Sequence, residues 1–159
     1  MSDVVHRQIA DALANNPESL PRYAEALYAE ISPYIQVDFM RFRNEYVYLR
    51  LFAVDYSLAR GASHDAKLQE IRDDYTACIG KWARDVLKAP EMLYDVQSRF
   101  DRYGQAVNSG YGSPFIGVAK AFLEFCDCSD HIRAGRAALA VQSEVAMLAQ
   151  AVPGVLTSW

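Results

Sequence analysis

The chain has 159 residues, of which 52% are hydrophobic and 23% are charged, with 8 glycines and 6 prolines. This composition is typical of a globular domain and excludes a disordered tail or a fibrous repeat. Lys and Arg number 16 against 20 Asp and Glu, and the resulting net charge of −4 argues against a nucleic-acid binder. A core can form at this length without disulfides or metals, and we expect one domain over residues 1–159.

Residues 1–7 contain charged side chains before any apolar run, so the sequence predicts no secretory signal. The longest uncharged apolar stretch, Val145–Trp159, is too short to span a bilayer. The cysteine count of 3 is odd and does not describe a disulfide framework. We therefore expect a cytoplasmic protein with no membrane span.

The first elements are predicted to be short helices. Apolar residues spaced three and four apart predict a helix over residues 3–14, ended by the Asn-Asn-Pro sequence that follows. We expect residues 1–18 to form a peripheral arm. Ser19 is the predicted N-cap of a second helix, which Pro33 interrupts because proline lacks a backbone N–H.

Residues 33–60 carry the most regular pattern in the chain. One apolar stripe repeats at intervals of four and three residues without a break, and a second stripe lies beside it. Part of the segment also alternates like a strand, but the long stripe and the absence of turn residues favour a central helix. The first stripe is Ile35, Phe39, Phe42, Tyr46, Leu49, Ala53 and Tyr56; the second is Met40, Val47, Leu51, Val54 and Leu58; a polar strip of Gln36, Arg43, Arg50 and Ser57 remains.

Further helices follow the central one. It is predicted to end at Gly61, and Ser63 is predicted to cap the next helix, which extends to Trp82. Pro90 is the predicted first residue of another helix, which extends to about Val107. These two helices are expected to pack around the central helix.

The last third of the chain contains two more predicted helices. A glycine-rich loop after Asn108 ends in Ser113, the predicted cap of a helix that reaches Cys126. An alanine-rich helix from Ala134 is predicted to stop at the Pro-Gly pair that begins a C-terminal tail of residues 153–159. The sequence thus predicts an all-α, single-domain irregular bundle of about five to seven helices around a long central helix.

Cys126, Cys128 and His131 offer two thiols and an imidazole within six residues, which are ligands that zinc accepts. Residues two apart on a regular helix point about 200° away from each other, so the two thiols cannot share an ion unless the helix ends between them. We therefore favour Cys126 as a small core residue and expect neither a metal nor a cofactor.

One face of the central helix mixes charged groups with two large aromatic side chains, a composition that protein interfaces favour. Its residues are Asp38, Arg41, Glu45, Tyr48, Phe52 and Asp55. A structural role competes with this hypothesis: Arg41 would pair with Glu45 or Asp38, while the aromatic residues would cover the core beneath another helix.

The absence of a nucleophile and base at recognisable spacing leads us to expect a non-enzymatic protein-interaction module, such as an adaptor, a regulator, or an inhibitor or immunity partner of a toxin. Its partner would be another protein or a second copy of the chain, bound through the alanine-rich last helix or the Tyr48/Phe52 face. The alternative is a small-molecule-binding bundle in which Arg43 or Arg50 supplies a polar group to an internal pocket. A third class is an enzyme whose site is assembled from residues distant in sequence.

Overall fold

The computed structural model describes residues 20–107, 113–128 and 134–157, and every regular element within them is helical. This confirms the predicted all-α bundle. The helices are α1 (Leu20–Ile31), α2 (Phe39–Ala62), α3 (Ala66–Lys81), α4 (Met92–Val107), α5 (Pro114–Phe125) and α6 (Ala134–Thr157). A π-helical turn, Trp82–Val86, continues α3 and was not predicted. The helix and arm predicted before Ser19 lie outside the described residues.

Helix α2 is the centre of the fold, because it packs against each of the other five described helices. It begins at Phe39 and not at Pro33, so the predicted start is wrong by about six residues. The side chain of Asp38 sets the start, since its Oδ2 accepts a hydrogen bond from the backbone N–H of Arg41 at 2.9 Å. Its 24 residues give α2 a length of about 36 Å.

The two apolar stripes of α2 enter two different hydrophobic clusters. The first stripe, centred on Phe42 and Tyr46, joins the larger cluster with α1, α4, α5 and α6. The second stripe, centred on Val54 and Leu58, joins a smaller cluster with α3 and the start of α4. Met40 is an exception: it belongs to the second stripe by spacing but is exposed, because it lies in the first turn, ahead of the smaller cluster. A helix with two apolar sides therefore serves as the shared wall of both clusters.

The helix starts predicted at Ser113, Ser63 and Pro90 have different outcomes in the structure. Ser113 caps α5 as predicted, accepting a hydrogen bond from the N–H of Phe115. Asp65, and not Ser63, caps α3, and the hydroxyl of Ser63 instead donates to the carbonyl of Arg60 at 2.7 Å. Pro90 lies in a turn before α4, which begins two residues later.

Helix α6 continues through Pro153 to Thr157, so the predicted stop at the Pro-Gly pair is wrong. Proline at position 153 cannot donate to the carbonyl of Ala149, four residues earlier. The hydroxyl of Ser57 on α2 donates to that carbonyl instead, at 2.8 Å. A side chain of the neighbouring helix thus replaces the hydrogen bond that proline removes.

We expect Ser57→Ala to lower the free energy of unfolding by about 1 kcal/mol, because the half-buried Ala149 carbonyl loses its donor. In a Pro153→Ala background the helix regains its own N–H donor, and the same substitution should cost less than about 0.5 kcal/mol. Urea unfolding of the four proteins in this double-mutant cycle measures the coupling. Equal losses in both backgrounds would contradict the replacement role of Ser57.

A candidate ligand-binding cleft

A cleft of about 570 Å³ opens between α3 and α4. It forms because both helices pack on α2 while making few contacts with each other. The central helix provides its floor and the other two provide its walls. Its lining consists of Phe52, Asp55, Tyr56, Ala59, Arg72, Thr76, Ile79, Leu93, Val96, Gln97, Phe100, Asp101 and Gly104.

Aromatic rings form much of the floor. The ring of Phe52 lies 5.9 Å from that of Tyr56 and 5.7 Å from that of Phe100, measured between centroids. These rings belong to the hydrophobic core, and Phe100 packs against both clusters. The floor is therefore a fixed apolar surface, and its accessible parts are the half-buried rings of Tyr56 and Phe100.

One ion pair lies at the junction of the floor and the α3 wall. Arg72 donates from Nε and Nη2 to the two carboxylate oxygens of Asp55, at 2.8 and 3.0 Å. The hydrogen bonds that Arg72 donates to Asp55 raise the pKa of Arg72, while burial acts in the opposite direction. Because the pair is bidentate and partly shielded from water, its charges largely neutralise each other.

The α4 wall carries a second carboxylate and a glycine. Asp101 accepts a hydrogen bond from Nε2 of Gln97 at 2.8 Å, one turn earlier on the same helix. One turn later, Gly104 exposes backbone to the cleft, and a Cβ atom placed there would meet no described atom within 4 Å. The glycine thus leaves room on this wall that any larger side chain would occupy.

The structure distributes the predicted interface residues among different roles. Asp38 caps α2, and Arg41 binds the end of α5, donating to the carbonyl of Phe125 at 2.9 Å and pairing with Asp127. Arg41 is expected from the sequence to pair with Glu45 or Asp38. Among the described residues, its guanidinium binds Phe125 and Asp127, and only its backbone N–H donates to Asp38. Phe52 lies in the floor of the cleft.

Glu45 and Tyr48 meet α4 inside the molecule. Glu45 is only 5% exposed and accepts two hydrogen bonds from Arg99, at 2.5 and 3.1 Å. The guanidinium of Arg99 lies over the rings of Tyr48 and Phe125, at 4.9 and 4.5 Å from their centroids. Burial, followed by the nearby charge of Asp95, raises the pKa of Tyr48 to about 12. These contacts support the structural role that competed with the interface hypothesis, and only the exposed members of the face remain available to a partner.

Neither arginine predicted to serve a pocket lies in the cleft. Arg43 is exposed, and Arg50 lies over the ring of Tyr23 at 5.9 Å. The cleft instead uses Arg72, which sequence reasoning missed. Its partner Asp55 is 17 residues away on another helix, so no spacing within one helix could have indicated the pair.

Of the two neighbouring cysteines, Cys126 is a core residue and Cys128 is half-buried. Cys126 is buried at the end of α5, and burial raises the pKa of its thiol well above the usual range. Burial also raises the pKa of Cys128, so both thiols favour the protonated form that binds metal poorly. No cluster of three potential metal ligands occurs among the described residues, and His131 lies outside them.

The alanine-rich face of α6, proposed as a dimer contact, is packed inside the chain. Ala138, Val141 and Val145 are buried in the larger cluster, while Leu139 and Met147 are exposed on the opposite side. Any self-association through α6 must therefore use the outer side. In the described part of the chain, no helix combines the length and hydropathy that crossing a bilayer requires.

Comparison with known proteins found no matching family model, no matching curated protein and no matching solved structure. A functional proposal for this chain therefore rests on the geometry and chemistry of its own residues.

Proposed function

We propose that the chain binds a small, largely apolar molecule in the cleft between α3 and α4. The observation that carries this proposal is a cleft of about 570 Å³ with aromatic rings on its floor and a few polar groups on its walls. Ligand sites in proteins have volumes of about 300–1,000 Å³ and combine apolar linings with a few placed polar groups. This is the small-molecule alternative considered from the sequence, with Arg72 in place of the predicted arginines.

The burial of the lining residues favours a small ligand over a partner helix. Phe52 and Ile79 are each 5% exposed and Val96 is 8% exposed, so most of the apolar area of the cleft is already covered. A partner helix would need several hundred square ångströms of accessible surface on this side of an interface. A compact molecule that fits between the walls needs far less.

Protein interaction remains the second candidate, and a different surface supports it. At the connection between α3 and α4, Val86, Leu87 and Tyr94 are exposed, the last by 81% of its surface. Exposed large apolar side chains close in sequence are typical of contact sites. The prediction of a protein-interaction module now applies to such a surface rather than to the Tyr48/Phe52 face.

Binding in the cleft is tested by a substitution that fills it. Gly104→Trp should place an indole in the empty space beside the α4 wall while leaving the core contacts intact. We expect neutral aromatic fragments, with 3-propylindole as the reference compound, to shift backbone amide NMR signals of Thr76, Gln97 and Gly104 in the natural protein. Gly104→Trp should abolish these shifts, because it occupies the space that the fragment needs.

Gly135→Trp is the matched control. A Cβ at Gly135 also meets no described atom within 4 Å, but this glycine lies on α6, away from the cleft. Both variants should keep the natural helical circular dichroism, and fragment binding should persist only in Gly135→Trp. Absence of amide shifts at millimolar fragment, or equal shifts in both variants, would overturn the proposed site.

A further inference from the structure

The charges of the cleft lining do not balance. Asp55 and Asp101 carry negative charge and Arg72 carries positive charge, so the net formal charge of the lining residues is negative. Arg72 occupies both oxygens of Asp55. The carboxylate of Asp101 is therefore left without an opposite charge among the residues that line the cleft.

The surroundings of Asp101 make it available to a ligand. Only its Oδ1 accepts a hydrogen bond from a described side chain, the neutral amide of Gln97. Its Oδ2 accepts none from the described part of the chain. A carboxylate with an unused oxygen at the edge of an aromatic floor suits a group that is both positively charged and a hydrogen-bond donor.

From this arrangement we infer that the ligand of the cleft is an amine, with a protonated nitrogen held by Asp101 and an apolar body resting on the Tyr56 and Phe100 rings. This inference rests on the proposed function and names its ligand class. The aromatic rings of the floor support the choice of an amine, because aromatic rings attract a nearby cation. An anionic ligand is disfavoured, since Arg72 could bind it only by giving up hydrogen bonds to Asp55.

Three probes with the same ring and similar side-chain lengths separate the contributions of shape and charge. Tryptamine is cationic, 3-propylindole is its neutral counterpart, and indole-3-propionate is anionic, while all three carry the same ring. Titrations followed by amide chemical shifts at pH 7 and low salt give a Kd for each. We expect tryptamine to bind about fivefold more tightly than 3-propylindole, and indole-3-propionate to bind more weakly than both.

Asp101→Asn should remove the advantage of tryptamine while leaving the Kd of 3-propylindole within about twofold. The matched control is Asp73→Asn on α3. Asp73 accepts a hydrogen bond from Gln69 in the same i, i+4 geometry at 2.8 Å, but it does not line the cleft. The fivefold preference should persist in this control and decline at higher salt, because the ion pair is open to water.

The possible outcomes separate the two proposals. Tight binding of 3-propylindole in the cleft with no preference for tryptamine overturns the amine inference and leaves the proposed function standing. A preference for indole-3-propionate also overturns it and identifies Arg72 as the recognition group. If none of the three probes shifts cleft signals, both proposals fail. If the preference for tryptamine survives Asp101→Asn but is lost in Asp73→Asn, the charge effect comes from Asp73 on α3. This result overturns the role of Asp101.

Discussion

Replacing Arg99 with alanine is expected to lower the free energy of unfolding by about 3–5 kcal/mol. The substitution leaves the carboxylate of Glu45, which is almost fully buried, without the two hydrogen bonds that it accepts. It also removes the cation that lies over the rings of Tyr48 and Phe125. An unpaired buried charge is costly because protein atoms replace water without supplying an equivalent interaction. Urea unfolding at pH 7 measures the loss.

Arg102→Ala is the control for Arg99→Ala, because it lies on the same helix and pairs with Glu124 at 2.8 Å. Both members of that pair are exposed, so its removal should cost less than about 1 kcal/mol. Replacing Glu45 and Arg99 together with methionine should recover much of the stability lost in the single variant, since no unpaired charge remains. Similar losses for Arg99→Ala and Arg102→Ala would show that the Glu45 pair is no more important than a surface pair.

Phe52→Ala is the second substitution with a large expected effect, and it should also cost about 3–5 kcal/mol. The ring is 5% exposed and lies within 5.2–5.9 Å of the rings of Tyr56, Phe100 and Tyr103. Removing it leaves a cavity that these rigid aromatic neighbours can close only in part. The loss is measured by urea unfolding, and the cleft floor should lose its affinity for 3-propylindole in the same variant.

The control for Phe52→Ala is Met40→Ala, at a position of α2 that is 56% exposed. Its effect should stay within about 0.5 kcal/mol. The comparison also decides between the two roles considered for Phe52. A residue that anchors an external partner could be truncated with little change in stability, and that result for Phe52 would contradict its place in the core.

Local patterns in the sequence predicted the features that depend on neighbouring residues. The stripe through Phe42, Tyr46 and Leu49 indicated a central helix because burial on one side imposes a helical period. Ser113 followed by Pro114 indicated the start of α5, since a hydroxyl cap and a proline in the first turn act within a few residues. Such signals come from residues close together in the sequence, so they can be read without knowing how the rest of the chain folds.

Features that depend on packing between distant segments could not be predicted in the same way. The sequence left Glu45 and Phe52 open between an interface role and a structural role, because the helix that covers them, α4, comes about fifty residues later in the chain. The hydroxyl of Ser57 looked like part of a solvated strip, although its acceptor lies on α6. The cleft itself arises from a gap between α3 and α4, and a gap between helices has no periodic signature in either sequence.

The two walls of the cleft are anchored to different extents. Among the described helices, α4 packs on both α2 and α5, whereas α3 makes its main contacts with α2 and with its own π-helical turn. Local opening costs less free energy where fewer packed surfaces must separate. The wall that carries Asp101 is therefore held by two neighbouring helices, and the wall that carries Arg72 is held mainly by α2. If the cleft binds a ligand as proposed, we expect ligands of different thickness to be accommodated by movement of α3, while Asp101 on α4 keeps its position.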